Sequence, residues 1–365
     1  MPRRSEPGKR PTLADVAERA GVSAMTVSRV IAGNYPVAPP TRSKVLRAMR
    51  DLDYVVNAHA RALAGATTKT VALVLDDATG PFFAFIARGV EQQAASEGRL
   101  CLLCTTHGDP ERELAVVELL REQRAEAVIL VGGAQDTDTY TERMAYFARA
   151  LDKSGSRLVL CGRPSPGPDV PATVVEYDNE GGAYAMTAYL LANGHRKIAY
   201  VGRETGLSTT DERVSGYRRA HADHGVAVDE ALIRPGTFTR ESGAAVTDAL
   251  WEERADATAV FAATDMVAAG VLKALRGRGV RVPEDVSVVG FDDIPLASDL
   301  TPALTTVHVP TSSSAARPSA SRSTGDRKWR TGSSSAPTSS SGTRPPRCAR
   351  DPAAPVRRSP RVCAA

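Results

Sequence analysis

The sequence predicts an α/β protein in which an all-α helix-turn-helix headpiece precedes two lobes, each a parallel sheet flanked by helices. Three observations carry this. From residue 70 onward, near-continuous apolar runs of strand length alternate with segments of helical spacing, in two successive series; such runs mark parallel sheets covered on both faces. Before them, two short helix signals flank a glycine. The charge is also divided: residues 1–66 carry net +6, residues 67–310 net −11 and residues 311–365 net +9. A basic head on an acidic body suits a head that meets a polyanion.

The 365 residues are too many for one small core, so two or three compact units are expected. Residues 1–11 form a basic arm expected to be disordered. In the next segment, 12–56, Thr12 and Asp15 have the form of a capping box, and Leu13, Val16, Ala17 and Ala20 give one apolar face. "AGVS" supplies a glycine turn and Ser23 as the N-cap of a second helix, with Val27, Val30 and Ile31 facing inward. The outward face, Ala24, Met25, Ser28 and Arg29 with Thr26 at its edge, has no long acidic side chain. It can approach a duplex closely, with hydroxyls near phosphates and Arg29 able to span two acceptors on guanine. A helical hairpin packed on another domain fits the helix pair as well. A third helix with Val45, Met49 and Leu52 inward completes the headpiece. In 57–66, Asn57 can cap and Gly65 can end a helix of at most seven residues, well below the roughly 12 that hold alone in water.

In residues 67–310, "VALVLDD", "LCLLCTT", "AVILVG" and "RLVLCG" form the first strand series, separated by helical stretches around 82–97, 109–124 and 139–153. "KIAYVG", "TAVFAA" and "VSVVGFDD" form the second. Strand ends carry Asp76, Asp77, Asp292 and Asp293, at the place where open α/β sheets bind ligands. Phe82 and Phe83 stand at a helix start, where they could equally fill the core.

The strings "TLADVAERAGVSAMTVSRVIAGN", "TRSKVLRAMRDLDYVVNAHARALAG", "GHRKIAYVG", "ERVSGYRRA" and "FAATDMVAAGVLKALRGRGVRVPEDVSVVGFDDI" resemble the lactose repressor/galactose repressor (LacI/GalR) family of bacterial transcription regulators. The resemblance implies a headpiece, a hinge helix over 57–66 and a periplasmic-binding-protein-like effector domain over 67–310. It implies base contacts at Ala24, Met25 and Arg29, and phosphate contacts at Thr12, Ser23, Thr26 and Ser28. Leu13, Asn57, Ala60 and Arg61 are implied as further DNA contacts, and Leu63 as a wedge in the minor groove. Effector contacts are implied at Phe82, Phe83, Asp178, Arg213, Phe238, Thr264 and Asp292. An aromatic face with a charged donor and a carboxylate acceptor suits a small polyhydroxyl ligand. The implied function is a dimeric DNA-binding regulator, a repressor, whose affinity for operator DNA is modulated by a small effector, a carbohydrate. Two departures stand out: Ala38 where a capping serine is common, and Thr264 where asparagine is frequent.

Residues 311–365 contain 13 Ser, 10 Arg and 7 Pro but no Leu, Ile, Phe or Tyr. Such a tail cannot build a core and is expected to be disordered. It lacks the amphipathic helix returning to the first lobe, and the strand in the second, that the family implies; a frameshifted coding end or a basic DNA-binding tail would each account for it. The missing elements would leave apolar sheet faces uncovered. An inactive frameshifted regulator and a cytoplasmic solute-binding protein are the alternative readings.

No apolar run reaches the 18 or so residues of a membrane span, and the basic N-terminus lacks the apolar segment of a secretory signal, so a cytoplasmic protein is expected. Five cysteines give no disulfide framework. Cys101 and Cys104 read as small buried apolar residues, and His221 and His224 as surface residues, so no metal site is expected. "GATTKT" lacks the second glycine of a phosphate loop, and no nucleotide-cofactor or serine-hydrolase motif occurs. Neither an enzyme nor a cofactor is therefore expected.

Overall fold

A computed structural model of the chain describes residues 11–32, 35–55, 68–135, 137–311 and 362–363. The expected hinge helix, with Asn57, Ala60, Arg61 and Leu63, lies outside them, as do residues 1–10 and 312–361.

The headpiece is three helices, α1 (Leu13–Ala20), α2 (Ala24–Ala32) and α3 (Pro39–Asp51). The capping box forms: Thr12 Oγ1 accepts from Asp15 N, and the Asp15 carboxylate accepts from Thr12 N at 2.7 Å. α1 ends at Gly21, whose φ of 65° lets its N–H reach back to Ala17 O and Glu18 O. α3 starts after Ala38 with no side-chain cap, and Pro39 takes the first helical position, where its missing N–H costs nothing. Val16, Val27 and Val45, one from each helix, are fully buried in the small core between them.

Lobe 1 contains β1 (Thr70–Leu75), α4 (Pro81–Ser96), β2 (Leu100–Thr105), α5 (Pro110–Glu122), β3 (Ala127–Val131), α6 (Asp138–Lys153), β4 (Arg157–Cys161) and β5 (Ala172–Val175). Its sheet is parallel throughout, in the order β2-β1-β3-β4-β5. Lobe 2 contains α7 (Asn179–Ala192), β6 (Ile198–Arg203), α8 (Ser208–Asp223), β7 (Ile233–Pro235), α9 (Arg240–Glu253), β8 (Ala259–Ala262), α10 (Asp265–Gly277), β9 (Ser287–Asp292), the short α11 (Leu296–Asp299) and β10 (Thr305–His308). Its sheet runs β11-β10-β9-β8-β6-β7, where β11 is Val362–Cys363. That last strand corrects the expectation of a tail without a strand: two residues of the tail pair with Val307 and His308. Backbone groups, not composition, drive this, since β10 would otherwise be an open edge.

The lobes are covered unequally. In lobe 2, α7 and α8 bury Met186, Leu190, Val214 and Tyr217 against one face, and α9 and α10 bury Leu250, Val267, Val271 and Leu275 against the other. In lobe 1, α5 and α6 bury Leu114, Val117, Met144, Phe147 and Leu151 on one face. Among the described residues, α4 alone covers the other. There Leu73, Leu75, Ile86 and Val131 form the buried cluster, and Ile129 and Val159 are half-buried. On the edge strand β2, Leu100 is 65 % exposed and Leu103 46 %.

Two readings need correction. Cys101 and Cys104 are half-buried rather than buried, because β2 is an edge strand. His221 is not on the surface: it is 1 % exposed, its Nδ1 lies 3.0 Å from Tyr217 O and its ring packs on Tyr217 at 4.3 Å. The α7–α8 packing sinks that side of α8, so close that a Cβ on Gly216 would collide with Glu180 O.

Candidate functional site

The headpiece presents α2. Ser23 Oγ accepts from Thr26 N at 3.2 Å and lies 2.9 Å from Thr26 Oγ1, which fixes the first turn. Beyond it, Ala24, Met25 and Arg29 are exposed, Met25 at 64 %, while Ser28 and Leu13 are half-buried and Leu13 packs on the headpiece core. The Arg29 guanidinium rests over the Tyr35 ring at 5.6 Å, which holds the cation at the exposed side without pairing it to an acid. Small side chains around one oriented arginine leave this helix open to close approach.

The second site is a cavity of 460 Å³ between the lobes. Each sheet reverses its winding beside it: β1 lies between β2 and β3, and β6 between β7 and β8, so strand C-termini open onto the cavity. Of the expected effector contacts, Phe82, Phe83, Arg213, Phe238, Thr264 and Asp292 all line it. Asp178 does not; its carboxylate caps α7, accepting from Gly181 N at 2.6 Å. Phe82 meets Phe83 and Tyr177 edge-on at 5.7 and 6.0 Å, building an aromatic wall.

Arg213, 3 % exposed, is held on every side. Nε donates to Asn179 Oδ1 at 3.0 Å, Nη1 donates to Ala263 O at 2.6 Å, and the guanidinium lies 3.7 Å from the Phe291 ring centre. Nη2 reaches Asp292 Oδ1 only at 3.5 Å. This long pair leaves Arg213 Nη2 and the Asp292 carboxylate with hydrogen-bonding capacity for a ligand. Burial pushes the Asp292 carboxyl up to about 7, against the pull of Arg213, and its φ of 111° is a conformation that non-glycine residues rarely hold. Thr264 is spent differently: its Oγ1 caps α10, accepting from Val267 N at 3.2 Å.

Lobe 1 adds side chains that the sequence reading did not single out for this cavity. Asp76, there noted only as a strand-end acid, accepts from Thr106 Oγ1 at 3.1 Å, and burial raises its pKa. Glu113 and Tyr140 also line the space, joined by Tyr177 from the segment between the lobes and Glu204 from the end of β6 in lobe 2. The lobes touch beside it: Gln135 and Leu207 form an isolated antiparallel bridge, and Ser208 N donates to Ala134 O at 3.0 Å. Gly133 permits that approach, since a Cβ there would come within 2.8 Å of Leu207 Cδ1. Among the described residues no group of histidines, cysteines and carboxylates could hold a metal ion.

An open recognition helix joined to a two-lobed ligand cleft defines a ligand-responsive DNA-binding regulator. Residues 12–57 match the model of bacterial regulatory proteins of the lacI family, and residues 187–317 that of the periplasmic binding protein-like domain. The HTH-type transcriptional regulator CelR of Thermobifida fusca is 38 % identical over 308 residues, covering 83 % of this chain and 88 % of CelR. DegA of Bacillus subtilis is 35 % identical over 300 residues, covering 82 % and 86 %. Among solved structures, a complex of the regulator CelR with cellobiose matches with a TM-score of 0.59 at 36 % identity, covering 83 % of this chain and 89 % of that one. The lac repressor dimer bound to operator and the anti-inducer ONPF matches at 0.67 and 26 %, covering 83 % and 88 %. The chain belongs to the lacI family of bacterial transcription regulators, and the relatives named are regulators rather than enzymes.

Proposed function

We propose that the protein is a homodimeric, non-enzymatic, cytoplasmic repressor whose grip on operator DNA is set by a neutral oligosaccharide of the cellobiose type in the interlobe cavity. The observation that carries this is the pairing of an aromatic wall, Phe82, Phe83 and Tyr177, with the loosely coupled Arg213 and Asp292 in a cavity of 460 Å³. Rings cover the apolar faces of pyranoses, while the arginine and carboxylate answer hydroxyls. The complex of CelR with cellobiose supports that ligand class, and the operator-bound lac repressor dimer supports the DNA-bound assembly. Effector binding changes the lobe angle and thereby the spacing of the two headpieces of a dimer, a shift between two states that differ in DNA affinity. No helix among the described residues is long and apolar enough to cross a membrane.

Fluorescence anisotropy with the gene's own upstream DNA, with and without cellobiose and other neutral sugars, tests the reading. A palindrome should bind and a sugar should change its affinity. Arg29→Ala should cost about 1–3 kcal/mol and relax preference at one base pair; equal weakening on all sequences would contradict a base-reading role.

A further inference from the structure

Lobe 1 holds a buried ion pair of its own beside the cavity. Arg163, just after β4, donates from Nη1 to Glu113 Oε1 at 2.9 Å and to the Tyr140 hydroxyl at 2.6 Å. Its Nη2 donates to Val131 O at 3.2 Å and its Nε to Gly132 O at 3.1 Å. The Tyr140 hydroxyl donates to the same Glu113 Oε1 at 2.5 Å. One arginine thus ties the first turns of α5 and α6 to the C-terminal end of β3. The Arg163 and Glu113 side chains are only 2 % and 6 % exposed.

Glu113 is used unevenly. Oε1 takes two donors; Oε2 takes none from the described residues, although Glu113 lines the cavity. A carboxylate oxygen with no donor at the border of a ligand cavity is an acceptor that an arriving hydroxyl can meet with a charge-assisted bond.

We propose that Glu113 Oε2 is the lobe-1 acceptor for the effector, with Arg163 and Tyr140 as the positioning residues that aim it. A ligand hydrogen-bonded to Glu113 at one end and to Asp292 at the other spans both lobes and holds them at one angle. The inference rests on the effector reading above and specifies its chemistry. Six carboxylates, among them Glu113 and Asp292, border the space against Arg213 and His107, so the ligand is a donor-rich neutral polyol, and a phosphorylated sugar is repelled.

The test uses the full chain. Neutral mono-, di- and trisaccharides, cellobiose among them, are screened by thermal shift. Calorimetry with the best binder then compares wild type, Asp292→Asn, Glu113→Gln and Tyr140→Phe. Glu113→Gln should weaken binding about tenfold or more, and Tyr140→Phe by a few-fold. One deoxy analogue should lose that same factor with wild type and nothing further with Glu113→Gln, a coupling that a bracing role would not produce. If Glu113→Gln binds like wild type while Asp292→Asn fails, the effector reading stands and the role of Glu113 falls. If no sugar binds wild type, both fall. Should Glu113→Gln unfold by stranding Arg163, the paired E113Q/R163M variant removes both charges and is judged by the same outcomes.

Discussion

Lobe 2 and lobe 1 follow one plan and differ in how their sheets are covered. Both faces of the lobe 2 sheet carry a helix pair, and Phe261 and Phe291 are fully buried between α7, α8 and the strands. Lobe 1 has that density only under α5 and α6. On its other face the side chains are less covered: Ala127, Ile129, Val159 and Cys161 are half-buried and Arg157 is exposed. The strand sequences are equally apolar, so burial of a parallel sheet depends on what crosses it and not on the strands alone.

The largest expected effect probes this contrast. Phe261→Ala in lobe 2 should cost about 3–5 kcal/mol in urea unfolding, whereas Val159→Ala on the thin face of lobe 1 should cost about 1 kcal/mol or less. Similar losses would mean that a further element covers lobe 1 in solution. A middle-sized effect concerns pH. Burial, helped by the neighbouring Asp292 charge, pushes the Asp265 carboxyl in lobe 2 up to about 8. A carboxyl raised above its unfolded value stabilises the fold fully at pH below about 4 and loses that contribution as pH rises through 8. Between pH 6 and 9, where exposed carboxylates no longer titrate, stability should therefore fall by about 2 kcal/mol. Asp265→Asn should flatten that slope, and a slope unchanged by the substitution would remove the group from the account. The smallest effect is at the bare edge of lobe 1: Leu100→Lys should move stability by no more than about 0.5 kcal/mol, and a loss several times larger would show that β2 is covered in an assembly.

Much of this architecture was legible in local patterns. Thr12, Asp15, Ser23 and Gly21 announce the headpiece through capping and turn chemistry, and apolar runs announce most strands. The short strands β5 and β7 were not foreseen, because four and three residues carry too little periodicity. The expected effector contacts Phe82, Phe83, Arg213, Phe238, Thr264 and Asp292 came from family resemblance, and all border the cavity. Glu113, Tyr140 and Arg163 were not, since they meet across 23 to 50 positions of chain, a proximity that sheet order creates and no spacing rule encodes. His221 was misjudged because the helix against which α8 is pressed cannot be read from α8 itself.

The backbone bridge between Gln135 and Leu207, with Ser208 N on Ala134 O, makes a fulcrum of the point where the lobes meet. Side chains can slide past one another, but paired peptide groups resist shear, so rotation of one lobe on the other turns about this stitch. Displacement then grows with distance from it, and a small tilt at the interlobe cavity becomes a larger swing at the far ends of the lever.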